Sequence, residues 1–349
     1  SNAGRVRVYE WDDGTGTWQP RDDVPGAVTG DFSGRYVDLS ADGAVLAVGE
    51  IRYGADGSNR GRVRVHDWNP ESGAYVARND PGQLLYGLTG GNVGYSLDLS
   101  ADGTIVAYGD LHYSYSGGTH HGRVLVFEYT NGAWTQRGHS DDMPGAQSYN
   151  YMGYSVALSD DGTVIAVGAH SYDPPGVTNG GEVRVYAYDD GTGRWHLRGS
   201  DGLSASYRAT NHYLGYSVAI SADGDVVAAG ALKANSNLGY ARVYAWDADS
   251  ADYAQRGNDI PGTVQNTYVE SVSLSADGQV LAVGGSGYTT PNQGNVGVYV
   301  WNGVDAHEPV GALMLGPDDS TGGYGKSVAL SADATVLAVG APAVDIAGI

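Results

Sequence analysis

Cysteine is absent from this sequence, so disulfide bonds and thiolate metal sites are excluded. Lysine is nearly absent: Lys233 and Lys326 are the only two among 349 residues. Acidic residues number 40 against 19 basic ones, which gives a formal net charge of −21. Such a surface repels phosphate groups, so we expect no nucleic-acid partner. An acidic chain that is poor in lysine also suits a saline extracellular setting.

Long apolar runs are missing as well. None approaches the ~20 residues of a membrane span, so we expect no membrane insertion. Ser1-Asn2-Ala3 is typical of an expression remnant, and we expect any native signal peptide to have been removed. These features predict an extracellular or cell-surface location. We expect residues 1–349 to be a single monomeric domain of a larger protein.

Glycine, in contrast, is abundant: its 55 residues stand largely at fixed points of an internal repeat. The first module of the repeat joins two β-rich runs through Ala-Asp-Gly or a close variant. This predicts a tight hairpin, because Asp suits the turn and Gly the left-handed position after it. The module occurs six times, at 36–43, 96–103, 155–162, 217–224, 271–278 and 327–334. Ala334 replaces the glycine in the last copy and should strain that turn.

The second module also occurs six times and begins at Gly4, Gly61, Gly122, Gly181, Gly239 and Gly294. Period-two alternation predicts a strand, and a polar turn then leads into a fourth strand. All seven tryptophans stand at one of two aromatic positions on these two strands. A cross-strand aromatic pair explains them, and ligand stacking is the alternative.

Six such units predict an all-β fold, a six-bladed β-propeller of four-stranded antiparallel blades. The chain begins with the third and fourth strands of one unit and stops after the first and second strands of another. Pairing of 322–342 with 4–25 would complete the last blade and close the ring through the N- and C-terminal strands. An open array would leave two exposed sheet edges, which favour aggregation.

The stretches Tyr324–Leu330 and Leu337–Pro342 resemble the FG-GAP repeat of integrin α-chain propellers, and Gly153–Leu158 is similar to it more loosely. The resemblance implies a β-propeller, usually extracellular, that binds partners or glycans. Integrin propellers typically have seven blades, and their calcium loops carry several acidic residues. Here the corresponding turn, Ser100–Gly103, has one carboxylate, too few for the about six to eight oxygens that calcium takes. We therefore expect no metal and no cofactor.

The best candidate for a ligand site is the residue that follows the leading glycine of each repeat, at the mouth of the inner strand. Around the ring this position holds Arg35, Tyr95, Tyr154, Tyr216, Glu270 and Lys326. Three adjacent tyrosines opposite three charged residues can stack a sugar ring and hydrogen-bond its hydroxyls. Independent drift at a tolerant exposed position is the alternative.

Two units carry additional carboxylates. Asp38 and Asp98 replace the Ala or Ser found on the other inner strands, and Glu50 and Asp110 replace a small residue that ends the second strand. Hairpin register predicts Glu50 beside Arg35 and Asp110 beside Tyr95, so Glu50 and Asp110 join the candidate ligand-binding residues. A structural ion pair is one alternative, and acid–base catalysis on a glycoside is another.

The long connections lie on the face opposite the short turns, where function is usually found: 51–60, 111–121, 170–180, 232–238 and 286–293. The histidines on this side are His112, His120, His121, His170 and His212. A zinc site would need three or four of them to converge, and separate solvated histidines are the alternative. Five arginines recur at one equivalent position of the repeat, which indicates a structural role and not a ligand site: Arg21, Arg78, Arg137, Arg198 and Arg256.

These observations predict a non-catalytic extracellular module that binds a glycan or an extracellular protein on its long-loop face. A glycan-active enzyme, a hydrolase or lyase with carboxylates at the channel mouth, is the first alternative. A structural repeat domain of a larger surface protein is the second. A glycan array probed with the wild type and with a Tyr95/Tyr154/Tyr216 alanine variant would distinguish these three functions. Binding that is lost in the variant favours the binding module, turnover of a glycan favours the enzyme, and the absence of both favours the structural domain.

Overall fold

The computed structural model describes residues 3–54, 59–78, 85–87, 90–115, 117–204, 210–234, 238–262, 267–287, 294–316 and 323–342. Parts of the long connections predicted at 51–60, 111–121, 232–238 and 286–293, and residue 322, lie outside this range. Strands are the regular elements of the described residues, and none of these residues forms a helix long and apolar enough to cross a membrane. The all-β prediction is confirmed.

The strands follow the repeat unit by unit. An N-terminal hairpin contains β1 (Arg5–Asp12) and β2 (Thr17–Pro25). Blade I contains β3 (Ser33–Leu39), β4 (Val45–Glu50), β5 (Arg62–Asn69) and β6 (Ala74–Ala77), and blade II contains β7 (Leu97–Leu99), β8 (Ile105–Asp110), β9 (Arg123–Thr130) and β10 (Ala133–Gln136). Blade III contains β11 (Ser155–Leu158), β12 (Val164–Ala169), β13 (Glu182–Asp189), β14 (Arg194–Leu197) and a short β15 (Leu203–Ser204).

The second half of the chain repeats this order. Blade IV contains β16 (Leu214–Ile220), β17 (Val226–Ala231), β18 (Tyr240–Asp247), β19 (Asp252–Gln255) and β20 (Ile260–Pro261). Blade V contains β21 (Thr267–Leu274), β22 (Val280–Gly287), β23 (Asn295–Trp301), β24 (His307–Pro309) and β25 (Met314–Leu315), and a C-terminal hairpin contains β26 (Ser327–Leu330) and β27 (Leu337–Gly340). In each blade four strands pair antiparallel in chain order, and β15, β20 and β25 pair with the third strand of their blade.

One hydrogen-bonded turn closes every inner hairpin. Ser40 Oγ donates to Asp42 Oδ1 at 2.7 Å, and the backbone NH of Val45 donates to Ser40 Oγ at 2.9 Å. The next residue is in the left-handed region, with φ of 65° at Gly43 and 56° at Ala334. The strain predicted at Ala334 is therefore confirmed. Because the turn itself uses the carboxylate, this aspartate serves the scaffold, and the described residues contain no cluster of three or more His, Asp or Glu suited to a metal.

Aromatic side chains and arginines clamp successive units together. In blade III, the rings of Tyr188 and Trp195 meet across two strands at 5.3 Å, and the guanidinium of Arg137 from the preceding unit lies 4.0 Å from the Tyr188 ring centroid. The same stacking joins Arg21 to Trp68, Arg78 to Tyr129, Arg198 to Trp246 and Arg256 to Trp301. Both the cross-strand aromatic pair and the scaffold role of these arginines are confirmed.

The prediction of six blades in a closed ring is wrong, because the structure has five four-stranded blades and two separate terminal hairpins. Each hairpin buries its apolar side chains on the nearest blade. Val6 and Val8 pack on Leu46 of blade I, and Val328 packs on Val296 of blade V. Each terminal hairpin therefore buries its apolar side chains without pairing with the other. Pairing of β27 with β1 would require a spacing of ~4.8 Å between the two strands.

Candidate functional site

A central cavity of about 570 Å³ opens where the inner strands begin. The structure places all six residues singled out by their repeat position on its wall: Arg35, Tyr95, Tyr154, Tyr216, Glu270 and Lys326. The cavity is in the size range of small-molecule sites. All five blades and the C-terminal hairpin contribute to it.

A bulge at the start of three of the inner strands, β3, β16 and β21, helps to set the position of these side chains. The β3–β4 ladder shifts register between Ser33 and Val37, and the β16–β17 and β21–β22 ladders shift at the equivalent place. Such a bulge re-aims the side chains beside it. At Gly153, φ is 88°, and a Cβ on its neighbour Gly109 would lie 2.1 Å from the Gly153 carbonyl oxygen. Glycine is therefore required on both sides of this contact, immediately before Tyr154.

Four tyrosines form a continuous arc on one side of the cavity. Ring centroids are 5.0 Å apart for Tyr36–Tyr95, 5.0 Å for Tyr95–Tyr154 and 4.9 Å for Tyr154–Tyr216. The hydroxyl oxygens of Tyr95 and Tyr154 are 3.0 Å apart and share a hydrogen bond. Burial raises the pKa of Tyr36, Tyr154 and Tyr216, so these phenols stay protonated at neutral pH and can donate hydrogen bonds.

The sequence analysis missed Tyr36, although a signal was present. The other five copies carry serine at this position: Ser96, Ser155, Ser217, Ser271 and Ser327. Comparison of the copies at that position, and not only at its neighbour, would have found the fourth tyrosine of the arc.

Three charged side chains face the arc. Glu270 is 6% exposed, whereas Arg35 and Lys326 are exposed. The guanidinium of Arg35 lies 5.5 Å from the Tyr95 ring centroid. A carboxylate that can accept a proton, two cations that can hold an anionic oxygen and several hydroxyl donors therefore line one cavity.

Glu50 and Asp110 do not line the cavity, and the prediction that Glu50 lies beside Arg35 is wrong. The register shift sets Glu50 opposite Ser33. Its fully buried carboxylate binds Arg62 and Arg64 of the next strand, with Arg64 at 2.7 Å. Asp110 is equally buried and lies 3.0 Å from the guanidinium of Arg123. Burial raises the pKa of Asp110, and Arg123 opposes that shift. Both carboxylates form buried ion pairs.

Asp38 and Asp98 are the carboxyl groups that the structure brings together. Asp38 Oδ2 accepts a hydrogen bond from Leu99 NH at 2.8 Å, and Asp98 Oδ2 accepts one from Leu158 NH at 2.6 Å, so each ties its inner strand to the next blade. Burial raises the pKa of both groups, and a hydrogen bond also links the two carboxyls. They are structural links between blades I, II and III.

The loop histidines do not converge on a metal site. The rings of His112 and His120 stack at 4.2 Å between centroids, and the ring of His170 instead packs on Tyr154, at 3.9 Å between centroids. His121 and His212 are buried among other aromatic rings. Burial lowers the pKa of His170 to about 4, so its imidazole is neutral at neutral pH.

No protein-family model and no curated protein sequence matches this chain, so the FG-GAP resemblance stays a prediction. Solved structures do match. A protein proposed to be a 6-phosphogluconolactonase from Bacteroides uniformis is 14% identical, with 92% of this chain and 81% of that chain covered and a TM-score of 0.57. The periplasmic gluconolactonase of Pseudomonas aeruginosa is 20% identical over 88% and 78% of the two chains, with a TM-score of 0.56. A Lactobacillus plantarum protein is 14% identical over 95% and 83%, with a TM-score of 0.57.

These likenesses establish the β-propeller fold and correct one expectation. The sequence predicted a non-catalytic binding module, whereas two of these three neighbours carry the names of lactonases. The repeat pattern could not reveal this difference, because blades and turns are the same scaffold in binding and catalytic propellers. The prediction of a non-catalytic module is therefore wrong.

Proposed function

We propose that this protein is a hydrolase that opens the ring ester of a sugar lactone in the central cavity. The observation that carries the proposal is the presence of one carboxylate, Glu270, in the same cavity as two cations and a tyrosine arc. Lactone hydrolysis needs a proton acceptor for water and positive charge or hydrogen-bond donors for the carbonyl oxygen. The cavity supplies both.

The proposed reaction consumes one water molecule. Glu270 accepts a proton from the water as its oxygen attacks the lactone carbonyl carbon. The negative charge that develops on the carbonyl oxygen is stabilised by Lys326 or Arg35. The bond from that carbon to the ring oxygen then breaks, and the ring oxygen takes up the proton, which gives the open-chain hydroxy acid.

The tyrosine arc would hold the sugar. An aromatic face stacks on the CH groups of a sugar ring, and protonated phenols donate to its hydroxyls. The net charge of −21 disfavours a substrate with several negative charges, although Arg35 and Lys326 can accept one anionic substituent. We therefore propose a neutral or singly charged lactone. The names of the two lactonase neighbours support a sugar lactone as the substrate class but do not bear on its charge. The periplasmic neighbour suits the proposed location outside the cytoplasm.

The experiment measures acid release from glucono-1,5-lactone and its 6-phosphate by titration at constant pH, with spontaneous hydrolysis subtracted. We expect the protein to accelerate at least one of them, and Glu270→Gln to lower kcat by roughly 10²–10⁴-fold, as for loss of a general base. Glu308→Gln on β24, an exposed carboxylate outside the cavity, is the control and should retain full activity. No acceleration of either lactone, or an unaffected Glu270→Gln variant, would contradict the proposal.

A further inference from the structure

A second group of aromatic rings adjoins the cavity on blades II and III. We call it the histidine–tyrosine strip, and it consists of His112, His120, Tyr149, Tyr151 and His170. His120 lies 5.6 Å from Tyr149 and 5.7 Å from Tyr151, measured between ring centroids. Tyr151 in turn lies 5.9 Å from His170. The proposed lactone chemistry uses none of these residues.

The strip is continuous with the cavity wall. His170 lies 3.9 Å from Tyr154 and 5.8 Å from Tyr216, both members of the tyrosine arc. The ring centroid of Tyr213, three residues before Tyr216 in the sequence, is 6.0 Å from that of His170. A ligand seated against the arc can therefore extend over the strip and remain on aromatic surface.

The strip is held at the surface in a conformation that its residues rarely adopt. Tyr149 is 55% exposed. Tyr149 and Tyr151 have φ of 61° and 53°, and His120 has φ of 51°. Bulky residues in the left-handed region cost on the order of 1–3 kcal/mol each and occur most often where a ligand is bound. The conformation itself belongs to the repeat, because the positions equivalent to Tyr149, which are Gly30, Gly90 and Asn211, also have positive φ. Among these four copies only Tyr149 places a bulky ring there, and the scaffold does not require that ring.

The chemistry of the strip favours an uncharged ligand. Burial lowers the pKa of His170 to about 4, and burial together with His112 lowers the pKa of His120. The rings of His170 and His120 are therefore neutral at neutral pH, on a protein of net charge −21. One amide lies beside the strip, since the side-chain nitrogen of Asn92 is 3.4 Å from the ring of His112. Aromatic faces with a polar amide beside them suit a sugar, which presents CH groups on its faces and hydroxyls at its edge.

We propose that the histidine–tyrosine strip binds the second and following sugar units of a neutral oligosaccharide whose terminal lactone occupies the cavity. This inference rests on the proposed lactone hydrolysis for the terminal unit. It makes the preferred substrate an oligosaccharide lactone and not a single sugar lactone.

The test compares kcat/KM for glucono-1,5-lactone and for cellotetraono-1,5-lactone, which is long enough to reach Tyr149, in the wild type and in Tyr149→Ala. Loss of one stacking ring should lower kcat/KM for the tetrasaccharide lactone roughly 10-fold. The same change should leave kcat/KM for the single sugar lactone as in the wild type. Trp18→Ala, an exposed tryptophan on the N-terminal hairpin, is the matched control and should change neither. Equal effects of Tyr149→Ala on both lactones, or an effect on neither, would overturn the proposal.

A binding measurement separates this inference from the proposed reaction. Calorimetric titration with cellotetraose and with maltotetraose should detect binding of at least one to the wild type and several-fold weaker binding to Tyr149→Ala. If neither lactone is hydrolysed but Tyr149→Ala weakens tetrasaccharide binding, the reaction is wrong and the strip still binds glycan. If glucono-1,5-lactone is hydrolysed and neither tetrasaccharide binds, the strip proposal is wrong and the reaction stands.

Discussion

Asp38, Asp98 and Asp42 show how position within the repeat sets the ionisation of a single carboxyl group. Burial raises the pKa of Asp38 and Asp98, which lie between inner strands and hydrogen-bond to each other. Asp42 lies at the exposed end of the same hairpin, where the hydroxyl of Ser40 lowers its pKa. The first two carboxyls hold protons more tightly in the folded state, and the third holds its proton less tightly.

The contributions of Asp98 and Asp42 to the free energy of unfolding should change with pH in opposite directions. A raised pKa in the folded state means that stability falls as pH rises from the unfolded value of 3.8 through the folded one. Asp98→Asn keeps an oxygen for the Leu158 NH and removes the titration. We therefore expect a higher melting temperature than the wild type at pH 8, with a smaller difference at pH 4.

Asp42→Asn is the matched control for that measurement. Its folded pKa is lowered, so its contribution to stability is present above the unfolded pKa and is lost as pH falls. The variant should therefore be less stable than the wild type at pH 8 and approach it at low pH. A lower melting temperature of Asp98→Asn at pH 8 would show that the charged form of Asp98 is the stabilising one.

At the same scale, comparison of repeat copies predicts the rim of the cavity but not its full wall. Tyr95, Tyr154 and Tyr216 follow directly from their position after the leading glycine. The prediction that Glu50 lies beside Arg35 fails because the bulge in β3 adds two residues between paired positions, so that Glu50 pairs with Ser33. Sequence alternation alone does not reveal a bulge.

At the scale of elements, the inner hairpins are linked through their turns. A backbone NH in each turn donates to a carbonyl oxygen of the next turn, from Ala41 to Ala101, Ala101 to Asp160, Asp160 to Ala222, Ala222 to Ala276 and Ala276 to Ala332. Among the described residues no equivalent bond leads from Ala332 to Ala41. The series is therefore open at one place, between the C-terminal hairpin and blade I.

The arginine clamps are incomplete at the same place. Val310 stands where the other units carry the clamping arginine, and it is 51% exposed. Its counterpart would be Trp11 of the N-terminal hairpin, which is 48% exposed. The sequence predicts the strands, hairpins and aromatic pairs of every unit. It did not indicate that the terminal hairpins stay apart, because the complementarity of two half-blades says nothing about their distance.

Amide hydrogen exchange at the turns tests this open arrangement. The NH of Ala276 donates to Ala332 at 2.9 Å and should be protected. The NH of Ala332 should exchange faster by roughly 10-fold or more, because exchange protection follows hydrogen bonding within cooperative units. Ala222, whose NH donates to Ala276 at 2.8 Å, provides the internal reference. Equal protection of Ala332 and Ala276 would show that the ring is closed in solution.

At the scale of the whole molecule, the propeller brings residues more than 290 positions apart in sequence to one point. Arg35 and Lys326 come from the first and last inner strands and line the same cavity. Inner strands converge on the axis of a propeller, so the axis is where several blades can contact one small ligand. Because of this convergence, residues that differ from copy to copy at the position after the leading glycine line one shared cavity.

The most direct test of the account is a crystal structure of the protein in complex with gluconolactam, in which an amide replaces the ester that would be hydrolysed. The account predicts the lactam in the central cavity, with a sugar face on the ring of Tyr154 or Tyr216 and the lactam carbonyl between Lys326 or Arg35 and the carboxylate of Glu270. Lactam bound elsewhere on the protein, or a cavity left empty by a lactam that inhibits hydrolysis, would contradict it.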